Sequence, residues 1–192
     1  MNEKSLTSLR IISGKWKRSK IDFITKPGLR PTGDRLRVTL FNWLMNEIVG
    51  AHCLDLFAGS GILGMEALSR NAASTLFVEK DKDVCQYMQQ HLARLKAENY
   101  QILCTDAFIF LKKPDAQYLN KFNLIFLDPP FHKDWMKSVC VLLEESHLLA
   151  PGAFIYLKIE REHGSFETPT SWHLIREMTT QQTQCYLYRH TP

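Results

Sequence analysis

The fold is decided by the stretch Asp55-Leu56-Phe57-Ala58-Gly59-Ser60-Gly61-Ile62-Leu63-Gly64. Its glycines stand at G-x-G-x-x-G spacing, where a predicted strand at residues 52–57 gives way to a predicted helix at residues 62–69. Glycine lets the backbone approach a bound cofactor closely, and the N-terminus of the following helix offers free N–H donors. The stretch therefore predicts a cofactor-binding turn at the carboxyl end of a strand.

Outward from this turn, predicted strands and helices alternate. Further strands are predicted at residues 75–78, 101–103, 123–127 and 153–158, separated by helices at 84–95, 107–111 and 135–145. The last two strands, at 174–178 and 185–189, follow without an intervening helix and should form an antiparallel pair. The pattern predicts an α/β fold with a Rossmann-like, doubly wound, seven-stranded sheet, mostly parallel with an antiparallel C-terminal hairpin.

A second signal is Asp128-Pro129-Pro130-Phe131, which directly follows the apolar strand at 123–127. Two prolines prevent further ladder pairing and stiffen the chain as it leaves the strand. They would fix an acidic side chain, a free carbonyl and an aromatic ring at the edge where open α/β sheets bind ligands. A carboxylate and a carbonyl can accept the N–H bonds of a planar amine, and a ring can stack on a base. A plain strand-terminating turn is the alternative.

Three acidic residues accompany the glycine turn. Glu79 lies twenty residues after Gly59, at the end of the next strand, where a carboxylate can hold the hydroxyl pair of a ribose. Asp55 lies just beneath the turn and suits the cationic end of S-adenosylmethionine better than a pyrophosphate. Asp106, after the third strand, could accept a bond from adenine or cap the helix at 107–111. This geometry leaves both a nicotinamide enzyme and a methyl-donor enzyme open.

The charge of the chain is uneven. Residues 1–37 carry ten Lys/Arg against three acidic residues, whereas the whole chain has a formal net charge of only +4. β-Prone segments at 9–12 and 21–24 flank Ser13-Gly14-Lys15, so a small N-terminal β-hairpin is predicted rather than a basic tail. We expect residues 1–30 to form a basic arm and linker that holds a polyanion, and residues 31–192 to form the main domain. Thr32 or Asp34 is predicted to cap the helix that follows.

Composition narrows the class of protein further. The 192 residues are 45% hydrophobic, and the five cysteines are scattered without a Cys-x-x-Cys pair, which favours buried free thiols over disulfides or a zinc site. No histidine pair has metal-ligand spacing, so no metal is expected. No long apolar stretch or signal-peptide region is present, so no membrane span is expected. The free thiols indicate a reducing, cytoplasmic setting, and we expect a monomer.

These motifs together resemble a known family. The glycine stretch with a later Asp-Pro-Pro-Phe resembles class I S-adenosylmethionine-dependent methyltransferases that act on exocyclic amines. The segments at 30–37, 40–44, 10–16 and 64–70 narrow the resemblance to the bacterial 16S ribosomal RNA guanine-N2 methyltransferases of the RsmD family, over residues 9 to 189. The sequence departs from the family pattern at Ser13, Ser19, Gly33 and Val38, outside the Asp-Pro-Pro-Phe motif.

The resemblance implies methyl transfer from S-adenosylmethionine to the N2 amine of a guanine in 16S ribosomal RNA, within a small subunit or an assembly intermediate. It assigns catalysis to Asp128, Pro129, Pro130 and Phe131. It assigns cofactor binding to Thr32, Arg35, Asp55, Phe57, Ala58, Gly59, Ser60, Gly61, Glu79, Lys80, Asp106 and Ala107. The predicted RNA-binding residues are Arg10, Lys15, Trp16, Lys17, Arg18, Lys20, Arg30, His132 and Lys133, the last two being either solvated or in contact with phosphate.

Three alternatives stay open at this point. An adenine-N6 amino-methyltransferase on RNA or DNA would use the same pocket chemistry. An NAD-dependent oxidoreductase could use the glycine turn and Glu79, but would leave the Asp-Pro-Pro-Phe motif and the basic arm unexplained. A binding-only RNA chaperone would not need these motifs intact.

Overall fold

The computed structural model describes residues 6–24, 33–130, 135–161 and 167–192. Within these ranges the strands are β1 (Leu6–Arg10), β2 (Lys20–Ile24), β3 (His52–Asp55), β4 (Ser74–Glu79), β5 (Tyr100–Cys104), β6 (Phe122–Leu127), β7 (Leu149–Glu160), β8 (Trp172–Thr179) and β9 (Thr183–His190). The α-helices are α1 (Asp34–Trp43), α2 (Ile62–Ser69), α3 (Lys82–Arg94), α4 (Ala107–Lys112) and α5 (Met136–Glu145). In this part of the chain, no helix has the length and apolar character that a membrane crossing requires.

The main sheet has seven strands in the order β5-β4-β3-β6-β7-β9-β8. Neighbours from β5 to β7 run parallel, and β9 pairs antiparallel with both β7 and β8. This confirms the predicted fold class, including the antiparallel C-terminal hairpin. The direction of winding reverses between β3 and β6, and ligands of doubly wound sheets bind above the carboxyl ends at such a reversal.

The central strands are buried on both faces. Along β6, Leu124 and Phe126 pack into one hydrophobic layer, whereas Ile125 and Leu127 pack into the other. The first layer contains apolar side chains of α1, α2 and α3, and the second contains those of α4 and α5. Continuous apolar runs are typical of parallel strands covered by helices on both sides.

The N-terminal hairpin is confirmed, and it packs firmly on the main domain. β1 and β2 pair antiparallel, with Arg10 opposite Lys20. Ile11 and Ile21 lie in the same hydrophobic layer as α1, α2 and α3. The turn of the hairpin meets the end of α2, where the Lys15 N–H donates to the Ser69 carbonyl at 2.8 Å. The basic arm is therefore part of the core as well as a charged surface.

A buried carboxylate strengthens this docking. Glu66 is fully buried in α2, and its two oxygens accept the Ile12 N–H at 2.8 Å and the Ser13 N–H at 3.0 Å. Arg70 donates to the same carboxylate at 2.9 Å, and the buried guanidinium of Arg37 lies 3.6 Å from it. The hairpin is thus held by backbone donors that point at a buried acid flanked by two cations.

The predicted capping of α1 by Asp34 is wrong. Gly33 is the N-cap residue, in an extended conformation and without a capping side chain. Asp34 is instead the first helical residue, and its carboxylate accepts a bond from Arg37 at 2.6 Å. Arg37 also donates to the Arg10 carbonyl at 2.9 Å, so Asp34 steadies a side chain that ties the helix to the hairpin. Thr32, the other predicted cap, lies outside the described residues.

Candidate active site

The candidate site lies where the sheet reverses, between the loops that follow β3 and β6. Asp55 ends β3, and Asp128 directly follows β6. The two strands are hydrogen-bonded neighbours, and the Leu56 N–H still donates to the Phe126 carbonyl at 3.2 Å beyond the end of β3. The glycine-rich stretch begins at Asp55, and the Asp-Pro-Pro motif begins 73 residues later at Asp128. The two therefore share one edge of the sheet.

The alternation of side chains along the strands also places these acids on one face of the sheet. Side chains two residues apart on a strand point to the same side of the sheet. Cys53 and Phe126 belong to the same hydrophobic layer, so the alternation carries Asp55 and Asp128 onto the face covered by α2. Phe77 belongs to that layer too, which brings Glu79 to the same face. Three carboxylates therefore converge at the start of α2.

The glycine turn is tight, and its first two glycines need their conformational freedom. Gly59 and Gly61 have positive φ angles of 50° and 72°. The turn is closed by a bond from the Gly61 N–H to the Ala58 carbonyl at 2.7 Å, and the Ala58 N–H anchors it to Val78 at 3.0 Å. Gly64 serves a different purpose, since a Cβ there would lie 2.3 Å from the ring of Phe77. The third glycine of the motif therefore lets α2 pack on β4.

Glu79 ties the turn to the next strand. Its two carboxylate oxygens accept the Gly59 N–H and the Asp81 N–H, each at 2.9 Å. The side chain is half-buried. A carboxylate oxygen can accept more than one bond, so Glu79 can still receive the hydroxyls of a ribose.

Asp55 is almost fully buried beneath the turn. It is 2% exposed, and its Oδ2 accepts the Gly64 N–H at 3.0 Å. Burial raises the pKa of Asp55 to about 8, the Gly64 bond opposes this, and the charges of Asp128 and Glu79 add to the rise. A cation placed at this acidic cluster would be attracted by Asp128 and Glu79, and it would favour the ionised form of Asp55.

Lys158 is a site residue that sequence reasoning missed. Its Nζ lies 2.9 Å from Oδ1 and 3.0 Å from Oδ2 of Asp128. The Lys158 side chain is only 3% exposed and that of Asp128 16%. Pro129 is buried and Pro130 half-buried, so the start of the motif is firmly held. One signal existed in the sequence, a lysine inside an otherwise apolar strand.

An aromatic cluster borders the site on the far side of the sheet. Trp135 stacks on Phe57, with ring centroids 6.3 Å apart and planes at 25°, and it meets the edge of Phe108 at 5.4 Å. The Nζ of Lys80 lies 5.4 Å from the centroid of the Trp135 ring. The structure thus brings together two predicted cofactor residues, Phe57 and Lys80, around a tryptophan that the sequence placed only at the start of a helix.

The alternatives for Asp106 are partly resolved. Its Oδ1 accepts the Phe108 N–H at 2.8 Å, so Asp106 is the N-cap of α4. Ala107 is buried in the first turn of that helix. The predicted contact of these two residues with adenine stays a prediction.

Comparison with known proteins identifies the family. The model of the family "Conserved hypothetical protein 95" matches residues 9–189. A curated relative from Escherichia coli K12, "Ribosomal RNA small subunit methyltransferase D", is 44% identical over 188 residues, covering 98% of this chain and 93% of the relative. The chain belongs to the RsmD family.

Solved structures agree with this membership. The Escherichia coli candidate methyltransferase yhhF is 41% identical, with a TM-score of 0.85 over 96% of this chain and 99% of that one. A candidate S-adenosylmethionine-dependent methyltransferase from Streptococcus mutans shares the fold at 14% identity, with a TM-score of 0.71 over 88% of this chain and 53% of that one.

The cofactor of the RsmD family is S-adenosylmethionine, and the residues present fit it. The donor set around the glycine turn is acidic, with Asp55, Glu79 and Asp128 on one face of the sheet. Such a set suits a sulfonium, an ammonium and a ribose, and opposes the doubly charged pyrophosphate of a dinucleotide. The NAD-dependent alternative is therefore not supported.

The predicted RNA-binding residues of this RsmD protein are distributed unevenly. The exposed cations of the hairpin are Arg10, Lys15, Lys17, Arg18 and Lys20. Trp16 is only 9% exposed and packs in the hydrophobic layer under α1 and α2, so little of its ring is available to stack on a base. We therefore leave Trp16 out of the proposed RNA surface. Arg30, His132 and Lys133 lie outside the described residues.

The hairpin reaches the glycine turn. Phe23 of β2 and Ser60 of the turn line the same small cavity, together with residues of α3. The segment after β2 contains Thr32, which with Phe131 lies outside the described residues. Arg35 is exposed in the first turn of α1, and its predicted role toward the cofactor stays a prediction.

Proposed function

We propose that this chain transfers a methyl group from S-adenosylmethionine to the exocyclic N2 amine of a guanine in small-subunit (16S) ribosomal RNA. The observation that carries the proposal is the placement of the Asp128 carboxylate. Lys158 Nζ donates to its two oxygens at 2.9 and 3.0 Å. The carboxylate lies next to the glycine turn, at the edge of the sheet where the direction of winding reverses. The names of the family's curated relatives support the choice of RNA.

The amine of guanine is a poor nucleophile, because its lone pair is delocalised into the ring. Asp128 and the Pro129 carbonyl are expected to accept its two N–H bonds, which returns electron density to nitrogen and aims the lone pair. Phe131 is expected to stack on the extruded base. S-adenosylmethionine, when bound, supplies an electrophilic methyl group on a sulfonium. The N–C bond forms as the S–C bond breaks, giving S-adenosylhomocysteine and a methylated amine that releases one proton.

The hairpin supports a structured RNA as the partner. Its exposed cations lie on a rigid ribbon that is anchored to α2 and ends beside the glycine turn. Phosphate contacts position an RNA, while shape selects the base that is extruded. We propose that the protein acts as a cytoplasmic monomer on the small subunit or an assembly intermediate.

Radiolabelled methyl transfer tests the proposal. The protein is incubated with labelled S-adenosylmethionine and either naked 16S RNA or assembled small subunits from cells that lack the enzyme. The labelled nucleoside is then identified by chromatography. N2-methylguanosine is the expected product, and Asp128→Asn, which should keep only a small residual rate, is the control. Label in N6-methyladenosine, or no label in either RNA, would overturn the assignment to guanine N2.

A further inference from the structure

The side chain of Lys158 is buried, and the burial of a lysine in a sheet requires a physical explanation. In the parallel ladder of β6 and β7, the last pair is Leu127 with Leu157, and Asp128 and Lys158 are the next residue of each chain segment. Lys158 lies on the same face as Tyr156, two residues earlier, whose ring is buried in the hydrophobic layer. It pairs with Cys185 of β9, another buried residue. The cation is therefore surrounded by protein on both neighbouring strands.

Stability alone explains this arrangement poorly. A buried ion pair loses the hydration of both charges, and its replacement by apolar residues is often neutral or stabilising. A lysine that donates to both oxygens of one carboxylate does, however, fix the plane of that carboxylate. The acceptor oxygens then point in a fixed direction. These are the two oxygens available to the amine in the proposed methyl transfer.

The surroundings of Asp128 give Lys158 a distinct place. Among the described residues, the groups that act electrostatically on Asp128 include Asp55 of β3, Tyr156 of β7 and Cys185 of β9. Lys158 differs from these groups because it is a cation and donates to both Asp128 oxygens. Removal of its side chain would therefore take away two bonds that hold the Asp128 carboxylate in one orientation.

We propose that Lys158 is a positioning residue for methyl transfer, which orients the Asp128 carboxylate as an acceptor for both the amine and the cation that forms on methylation. The inference rests on the proposed function for its chemistry, but the orientation of Asp128 concerns the protein alone. The proton of the methylated amine passes to solvent.

The first test needs no RNA. Crystal structures of the wild type, Lys158→Met and Lys158→Arg show the orientation of the Asp128 carboxylate directly. We expect the plane of this carboxylate to rotate in Lys158→Met and to keep its wild-type orientation in Lys158→Arg. An unchanged orientation in Lys158→Met would overturn the proposal, whatever the enzyme methylates.

The second test measures turnover. Lys158→Met should lower kcat about a hundred-fold while affinity for S-adenosylmethionine stays within about three-fold, and Lys158→Arg should recover most of the rate. Lys112→Met, an exposed lysine on α4, is the matched control and should match the wild type. A parallel loss of cofactor affinity in Lys158→Met, or no recovery in Lys158→Arg, would indicate a purely structural role and refute the proposal. An inactive wild type would instead refute the proposed function, and the orientation of Asp128 in the crystal structures would still decide the role of Lys158.

A double variant covers the case in which Lys158→Met does not fold. Asp128→Asn with Lys158→Met removes both buried charges, so neither is left uncompensated. If Lys158 acts through Asp128, this double variant should have the same residual rate as Asp128→Asn alone. A further loss of ten-fold or more in the double variant would show that Lys158 acts independently, contrary to the proposal.

Discussion

The contact between Gly14 and α2 gives the sharpest prediction for the fold. Gly14 has a φ of +81°, and a Cβ at this position would lie 1.9 Å from the carbonyl oxygen of Ser69 and 2.3 Å from its carbonyl carbon. Neither atom can move without shifting the backbone of α2. We therefore expect Gly14→Ala to separate the turn of the hairpin from the end of this helix.

The magnitude follows from what the contact holds. Three hydrogen bonds join the turn to Ser69: from the Lys15 N–H to its carbonyl at 2.8 Å, from the Trp16 N–H to its Oγ at 3.0 Å, and from that Oγ to the Ser13 carbonyl at 2.6 Å. Each contributes about 1 kcal/mol. A left-handed alanine adds roughly 1 kcal/mol. Gly14→Ala should therefore lower the free energy of unfolding by about 4 kcal/mol.

Gly50 provides the matched control. Its φ is +75°, but nothing lies within 4 Å of where a Cβ would stand. Gly50→Ala should therefore cost only the backbone strain, about 1 kcal/mol. Urea unfolding of both variants measures the difference, and hydrogen exchange at the Lys15 and Trp16 amides should quicken roughly a thousand-fold in Gly14→Ala alone. Equal destabilisation in the two variants would refute the docking of the hairpin on α2.

Three further predictions concern the site. Asp128→Ala should reduce methyl transfer at least a thousand-fold while affinity for S-adenosylmethionine, measured by calorimetry, changes less than about five-fold; an active variant would remove Asp128 from catalysis. Because the pKa of Asp55 is raised to about 8, the folded protein keeps a proton there that the unfolded chain has released by neutral pH. The free energy of unfolding of the wild type should therefore fall between pH 4 and pH 8 relative to Asp55→Asn, and parallel urea-unfolding results for the two proteins would contradict the burial argument. Glutamine at Lys15 and Lys17 should weaken RNA binding and reduce its salt slope by roughly one per lost phosphate contact, unlike glutamine at Lys112 and Lys113 on the opposite face of the sheet; equal slopes for the two pairs would show that the hairpin does not carry the RNA.

The sequence predicted the fold well where its periodicity was strong. The helix at 62–69 begins and ends as predicted, because glycines precede it and apolar residues fill it. β7 was predicted only at 153–158 but runs over Leu149–Glu160. Pro151 and Gly152 resemble a turn, yet the strand passes through them, and the register of β6 against β7 shifts between Phe122 and Leu124 to accommodate them. Such irregularity comes from tertiary pairing, which local propensity does not contain.

The sequence predicted the acidic residues of the site, but it did not predict the cation among them, Lys158. Glycine spacing and strand ends located Asp55, Glu79 and Asp128 because parallel strands present their carboxyl ends at one edge. Lys158 contacts Asp128 from another strand, thirty residues away, and only the pairing of β6 with β7 brings the two together. The burial of Trp16 was missed for a similar reason. An aromatic ring among cations is typical of an RNA-binding ribbon, but here it fills the gap between the hairpin and the main domain.

Helix α2 connects the hairpin to the glycine turn. This helix has eight residues, all of them buried, so it spans only about 12 Å. The glycine turn precedes its first residue, and Glu66 and Ser69, near its other end, hold the hairpin. Residues packed this closely move as a unit, since cores transmit strain instead of absorbing it. We therefore expect a displacement of the hairpin to reach the glycine turn through α2, and a docked hairpin to hold the turn in place. On this argument, Gly14→Ala should weaken affinity for S-adenosylmethionine as well as RNA, whereas the loss of Lys15 and Lys17 charges should weaken RNA binding alone.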